Sequence, residues 1–413
     1  MHVPTPPALP TLPDAAPRAR LQAVSKGRAN YTLFVLTLIW ALSLFDRNLL
    51  NALLQPFKND LQLSDTTLGL ITGFGFVLLF SISGLTLARL SDKFNRVRIV
   101  GIGLAVWSAL TSLTGLAGSA AQLVLARSLV GVSESVAAPA TFSVLADCYP
   151  PEKRGRSMSF LSMATFVGAS LAFIVGSALN QRYGWRNAFF IAGLPGLLIA
   201  ALLWLTVKDP ERGSTEARNA DNKLVSLPET MRFLLGQKSF LLIVIGFALV
   251  NVCNQAILVW IAPFLERVHK FANAGLIVGP LVGVAGISGA LIGAAIITRL
   301  AKRDVRWNVW APAMALLLTA PVFLVICLAN QKPAVFAGIA ASAALSAFQV
   351  GPISAAIQGA VKVRMRAFAS AIFFAIGNLI GQGFGPLIVG MVSDALRPTY
   401  GELSLRYGLL VIA

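Results

Sequence analysis

Apolar residues in this chain come in blocks long enough to cross a hydrocarbon core of about 30 Å as a helix, which takes roughly 20 residues. Eleven such blocks can be read, at 31–56, 66–90, 97–119, 120–146, 156–180, 187–207, 239–265, 273–298, 307–329, 333–360 and 367–391. A twelfth begins at 404–413. Backbone polar groups in lipid must be satisfied internally, so only helices or closed barrels span a bilayer. Barrel strands would alternate in polarity over about ten residues, and these blocks do not. The expectation is an all-α integral membrane protein. Residues 404–413 are too few to cross, so they read either as a stub at the surface or, the favoured expectation, as a last helix truncated with its remainder missing from this chain.

Only 12% of the 413 residues are charged, yet the net charge is +17. In a water-soluble chain that excess would point to nucleic acid. Here 24 of the 34 lysines and arginines fall on one set of alternating loops and eight on the other. This is the positive-inside pattern, so no nucleic-acid partner is expected, and both termini should be cytoplasmic in a plasma (inner) membrane. The opening residues 1–29 are rich in proline and lack the apolar core of a cleaved signal, which reads as a disordered cytoplasmic tail. Cys148, Cys253 and Cys327 have no metal or redox spacing.

A polar stretch at 208–238 divides the spans into a six-helix N-terminal half, 30–207, and a C-terminal half, 239–413. Leu227, Met231 and Leu235 near the end of this linker fall at helical spacing, the pattern of a short amphipathic helix. Weak similarities recur about 205 to 220 residues apart: Gly84 with Gly289, the basic loops at Arg156 and Arg366, and Trp185 with Leu405. Such offsets suggest two duplicated halves around a central cavity, an architecture in which one half rocks against the other. Any single one of these matches could also arise by chance.

Four charges lie inside the spans: Asp46 and Arg47 in span one, Arg127 and Glu134 in span four. An ionised group at mid-bilayer costs a few kcal/mol, so it normally faces a cavity or another charge. At about 1.5 Å per residue, Asp46 and Arg127 come level, roughly 8 to 10 Å from the outer edge, and Glu134 lies about 10 Å deeper on the same face as Arg127. Arg127 is expected to pair with Asp46 in one state, and Glu134 to titrate near the cavity and change partner. A carboxylate desolvated in one state and paired in another differs in proton affinity between them, which is what proton coupling requires. The same residues also fit a static ion network that locks span one to span four.

On the cytoplasmic side, the loop Ala88–Arg98 places Asp92 near a helix end and supplies Lys93, Arg96 and Arg98 to meet acidic or carbonyl groups across the halves, as an inner gate. An ordinary positive-inside loop would have the same composition. In the second half the cavity candidates are uncharged: Asn251, Asn254, Gln255 and Trp260 in span seven, Gln349 and Gln358 in span ten, Asn378 and Gln382 in span eleven. Amides beside aromatic and aliphatic side chains suit an amphipathic ligand better than a sugar; each amide could equally serve interhelical hydrogen bonding. Five glycines between Gly377 and Gly390, with Pro386, suit close helix packing and bending.

The loop "ARLSDKFNRVR" resembles the signature between helices two and three of the major facilitator superfamily. "RSLVGVSESVAAPA" with "FDRN" in span one is similar to its spinster-like branch, as is "RMRAFASAIFFAIGNLIGQGFGP" in span eleven. The resemblance covers residues 30–413. It implies twelve helices, alternating access and a central cavity, and it matches Asp46, Arg47, Arg127 and Glu134 to that branch's polar network. Eukaryotic relatives are associated with sphingolipid and lysolipid export, which the resemblance extends to this chain only as a substrate class. Ala88 stands where the loop signature usually has glycine, and Thr298 where the second copy has an acid, which implies a weaker second gate.

These readings converge on a secondary active transporter, proton-coupled, for an amphipathic lipid-like or organic-anion substrate. A facilitative uniporter would share every feature, and a non-transporting ligand sensor would bind without flux. An enzyme is not expected: the histidines are His2 and His269, outside the spans, and no acidic pair shares a span. No cofactor, metal or nucleotide site is expected. The expected partners are the small-molecule substrate, protons and membrane lipids, with the protein acting as a monomer.

Overall fold

The computed structural model of the protein describes residues 24–212, 227–304, 306–360 and 366–412. The expected tail up to residue 23 and linker residues 213–226 lie outside the described residues. The described residues form helices and no strand. The first helix, α1 (Lys26–Ala52), starts four residues inside the stretch expected to be tail. Its polar first turn extends the helix past the apolar block, which sequence hydrophobicity alone does not register.

Every apolar block lies on a helix, but several spans in the first half are broken. Pro56 has no N–H for the carbonyl of Ala52 and crowds it, so α1 ends there and α2 (Leu54–Leu61) continues separately. Span two is α3 (Asp65–Thr72) and α4 (Phe74–Lys93), parted at Gly73. Span three is α5 (Arg96–Thr114); span four is α6 (Ala120–Glu134) and α7 (Ala137–Cys148). Spans five and six form α8 (Pro151–Thr206), folded back at Gly184, whose φ of +77° is a conformation that glycine adopts without steric cost. Side chains of Ser64, Asn95 and Ser119 accept hydrogen bonds from the backbones of Thr67, Arg98 and Gln122, capping α3, α5 and α6, each such cap contributing about 1 kcal/mol.

The short helix expected at the linker's end is α9 (Leu227–Gly236). The second half continues with α10 (Lys238–Arg267), α11 (Gly275–Ala301), α12 (Trp307–Leu328), α13 (Lys332–Ala360), α14 (Arg366–Tyr400) and α15 (Ser404–Leu410). Large apolar side chains such as Leu198, Leu205, Val284 and Leu317 are exposed around the outside. In water such a surface would drive association; in a bilayer it is the lipid contact.

We call the side on which α1 begins the inner side. The two halves meet through spans two and eleven and through spans five and eight. Along α14, Gly377, Gly381 and Gly385 recur every four residues and lie against Phe247, Asn251 and Val252 of their own half. Gly383 and Gly390 point elsewhere, to Phe74 and to the backbone of Asp65 in the other half. A Cβ at Gly390 would stand 2.3 Å from the Asp65 carbonyl oxygen, so only glycine permits this approach. On α11, Gly275, Gly279 and Gly283 likewise face span five, and Ser170 donates to the Gly279 carbonyl at 2.8 Å. These small faces let helices touch backbone to backbone, the main source of packing energy between helices in lipid.

Candidate functional site

The break in span four positions the site. Pro139 offers no N–H to the Ser135 carbonyl and its ring crowds that oxygen. Accordingly α6 ends at Glu134 and α7 begins at Ala137. Glu134 therefore sits at a bend, and its carboxylate reaches across to span one. Oε1 accepts from Arg47 Nε at 2.7 Å and from the Ser43 hydroxyl. Glu134 is 2% exposed while the Arg47 side chain is 22% exposed, so the arginine stands between the carboxylate and open space.

Arg127 is level with Asp46, as the depth argument expects, but the two do not form an ion pair among the described residues. Arg127 Nη1 donates instead to the Asp46 backbone carbonyl at 3.4 Å. The Asp46 carboxyl turns toward Trp107 and Thr111 of span three. Depth along a helix follows from residue count, but direction around it does not: consecutive residues differ by about 100°. Arg47 is the neighbour that faces span four. The expected Asp46–Arg127 pair is thus replaced in this state by Arg47–Glu134.

Two aromatic residues that sequence reasoning passed over complete the cluster. Phe76 and Phe80 lie one turn apart on α4, with Arg47 Cζ 4.9 Å and 4.5 Å from their ring centroids and Arg127 Cζ 5.1 Å from that of Phe76. Each such contact contributes about 0.5–2 kcal/mol and leaves the cation's donors free. The spacing of two aromatics at i and i+4 was the only signal in the sequence. Glu134 Oε2, Asp46 Oδ1, Arg127 Nε, Trp107 Nε1 and Thr111 Oγ1 are buried with no hydrogen-bond partner in the protein. Leaving a buried polar group unpaired costs about 1–3 kcal/mol. Asp46, Trp107 and Thr111 face one another, so Glu134 Oε2 and Arg127 Nε are the two atoms left open, with room for protons and partners to be redistributed.

The second-half candidates are divided by the structure. Asn251 donates to the Gly377 carbonyl at 2.8 Å, and Asn254 accepts from Ser346 at 2.8 Å, so both join helices of their own half. Trp260 is fully buried and its indole donates to the Pro386 carbonyl at 3.0 Å. This corrects its expected place: in this state it packs inside the second half rather than lining a cavity. Gln255, Asn378 and Gln382 are half-buried. The side chains of Gln349 and Gln358, like that of Asp92, lie outside the described residues.

The inner-gate expectation is also corrected in its geometry. Arg96 does not reach across the halves. Its guanidinium is buried inside the first half, where it pairs with Asp147 and Asp209 and donates to Ser143 at 2.9 Å and to the Pro210 carbonyl at 2.7 Å. The ends of spans four and six converge on the start of span three. Lys93 and Arg98 are exposed.

The charges that do join the halves lie at the outer end, where sequence reading saw only loop residues. Asp65, fully buried, pairs with Lys58 of its own half and with Arg267 of the other at 2.7 Å, and accepts from Ser393 at 2.7 Å. Arg267 also donates to Gln55 at 2.6 Å. Asp394 of α14 caps α3 from across the interface, accepting from the backbones of Asp65 and Thr66 at 3.0 and 2.7 Å and from the Thr66 hydroxyl at 2.7 Å. Burial lowers the Lys58 pKa despite its carboxylate partner. This cluster seals the outer side. Among the described residues no group of three or more His, Cys, Asp and Glu could hold a metal.

Comparison with known proteins follows the same lines. The family model described as Major Facilitator Superfamily matches residues 36–397. A Mycolicibacterium smegmatis protein named MFS-type efflux pump is 31% identical, over 93% of this chain and 89% of its own. Protein spinster homolog 1 of Xenopus tropicalis is 27% identical, over 95% of this chain and 79% of its own. The crystal structure of a bacterial homologue of the human lysosomal transporter Spinster, inward-facing and unoccupied, is similar with a TM-score of 0.84 at 26% identity, covering 94% of this chain and 95% of that one.

Proposed function

Because the chain belongs to the Major Facilitator Superfamily, and is a membrane transporter rather than an enzyme, we propose that it is a proton-coupled secondary transporter of spinster type that exports an amphipathic or organic-anion substrate. Its halves rock about the central cavity, exposing it to one side and then the other. The likeness to the mycobacterial efflux pump supports the outward direction. The amide, aliphatic and aromatic composition of the second-half spans supports an amphipathic cargo. The basic loops support cytoplasmic termini in the plasma membrane.

One observation carries the coupling step: Glu134 is buried at the helix break with one oxygen held by Arg47 and Ser43 and the other without a partner. The coupling step needs span one to shift against span four within the first half as the cavity changes sides, which takes Arg47 off the carboxylate. A carboxylate without its cation in a desolvated site takes up a proton; return of Arg47 expels it. Asp46 and Arg127 form the neighbouring step, since Arg127 can move from the Asp46 carbonyl to its carboxyl. Protonation then differs between the two states, which is the requirement for coupling.

The test is transport in proteoliposomes with and without an imposed pH gradient, screened over lysolipids and organic anions. Glu134→Gln is expected to abolish the response to the gradient while leaving exchange of unlabelled for labelled substrate. A folded Glu134→Gln variant that follows the gradient as the parent does would remove Glu134 from coupling. Flux in the parent protein that ignores the gradient would make it a uniporter.

A further inference from the structure

On the inner side of the first half, spans three and six leave a groove of about 720 Å³ that includes none of Asp46, Arg47, Arg127 and Glu134. One wall is apolar: Ile102 and Trp204 are 56% and 47% exposed. The indole lies against Gly101, where a Cβ would stand 1.9 Å from its nitrogen. This close fit holds Trp204 at the membrane boundary, where tryptophan partitions.

The other wall is cationic. Arg98 and Lys208 line the groove, both exposed, and neither side chain has an ion pair or hydrogen bond among the described residues. Asp209 is the acid of the lining, and both its carboxylate oxygens are already held by Arg96, through the backbone N–H at 2.8 Å and Nε at 2.9 Å. The groove therefore presents, beside an apolar wall, two cations that form no ion pair among the described residues, with Asp209 turned to Arg96, at the depth where span and loop meet. A free anion in water would gain little from Ile102 and Trp204. A lipid phosphate would meet the cations while its acyl chain follows the apolar wall.

We infer that this groove binds the headgroup of an anionic phospholipid from the adjacent leaflet, at a defined site on the first half. The inference goes beyond the transport reading and does not depend on it.

The experiment uses the full chain in phosphatidylcholine nanodiscs, titrated with spin-labelled phosphatidylglycerol, the immobilised fraction giving the affinity. Arg98→Ala with Lys208→Ala is expected to weaken binding about thirtyfold, following the rough worth of two basic residues at an anionic surface. Lys302→Ala with Arg303→Ala removes two exposed inner charges elsewhere and is expected to leave it unchanged. Arg98→Lys with Lys208→Arg should retain it. Equal weakening by both charge-removing pairs would mean diffuse attraction to the leaflet and overturn the site, as would no weakening by the first. Displacement of the lipid by millimolar inorganic phosphate would overturn the lipid assignment.

Discussion

Arg267 of the second half holds Asp65 of the first at 2.7 Å, and that carboxylate simultaneously neutralises Lys58. One acid thus bridges two buried cations on the closed side of the transporter. Its replacement by asparagine leaves both cations facing each other, and removing one partner of a buried ionic group costs about 3–5 kcal/mol. Asp65→Asn is expected to shift the population toward outward-open forms. Spin labels at Gln181 and Arg397, in a cysteine-free background, should report a longer outer distance; an unchanged distribution would contradict the lock.

The bend after Glu134 depends on Pro139. Alanine there restores a donor for the Ser135 carbonyl and removes the clash, so helices α6 and α7 of span four should join. Rotation of Glu134 away from Arg47 follows. Pro139→Ala is expected to retain folding, with proton-driven transport reduced about tenfold or more; undiminished coupling would show that the bend does not set the pair.

Arg96 is the shared cation of Asp147 and Asp209 within the first half. Arg96→Ala is expected to destabilise by about 3–5 kcal/mol, the range for breaking a buried pair, visible as a lower thermal unfolding midpoint in detergent. Lysine should recover only part of it, because one ammonium cannot reach the carboxylates, Ser143 and Pro210 together. Substrate turnover per folded molecule should change less than stability. A stable but inactive variant would return Arg96 to the gate.

On the outer surface, the hydrogen bond from the Arg186 guanidinium holds the Asp60 carboxyl below the usual carboxylate range, with Trp185 donating as well. A depressed folded pKa adds stability above the unfolded value of about 4, and loses it as pH falls through the folded one. The melting-temperature gap between parent and Asp60→Asn should therefore be present at pH 6 and close on acidification. The pair is exposed, so the gap is small; one that widened toward acid would reverse the sign.

Much of the architecture could be read without coordinates. Hydrophobic length is a local property, and a bilayer accepts only helices of that length, so the twelve blocks mapped onto helices. The energetic cost of a charge in lipid is equally local, so Asp46, Arg47, Arg127 and Glu134 stood out as a cluster. What sequence could not settle was direction and partnership. Depth came from counting residues, but whether Asp46 or Arg47 faced span four depended on rotation of packed helices and on a proline-made bend. Lys58, Asp65, Arg267 and Asp394 passed for loop residues, because their burial exists only when the two halves close on one another. Arg96 turned inward for a similar reason: the ends of spans four and six, distant in sequence, converge on it at the start of span three. Local chemistry determined which residues this protein places in the membrane; only packing between elements far apart in the chain decided which of them touch.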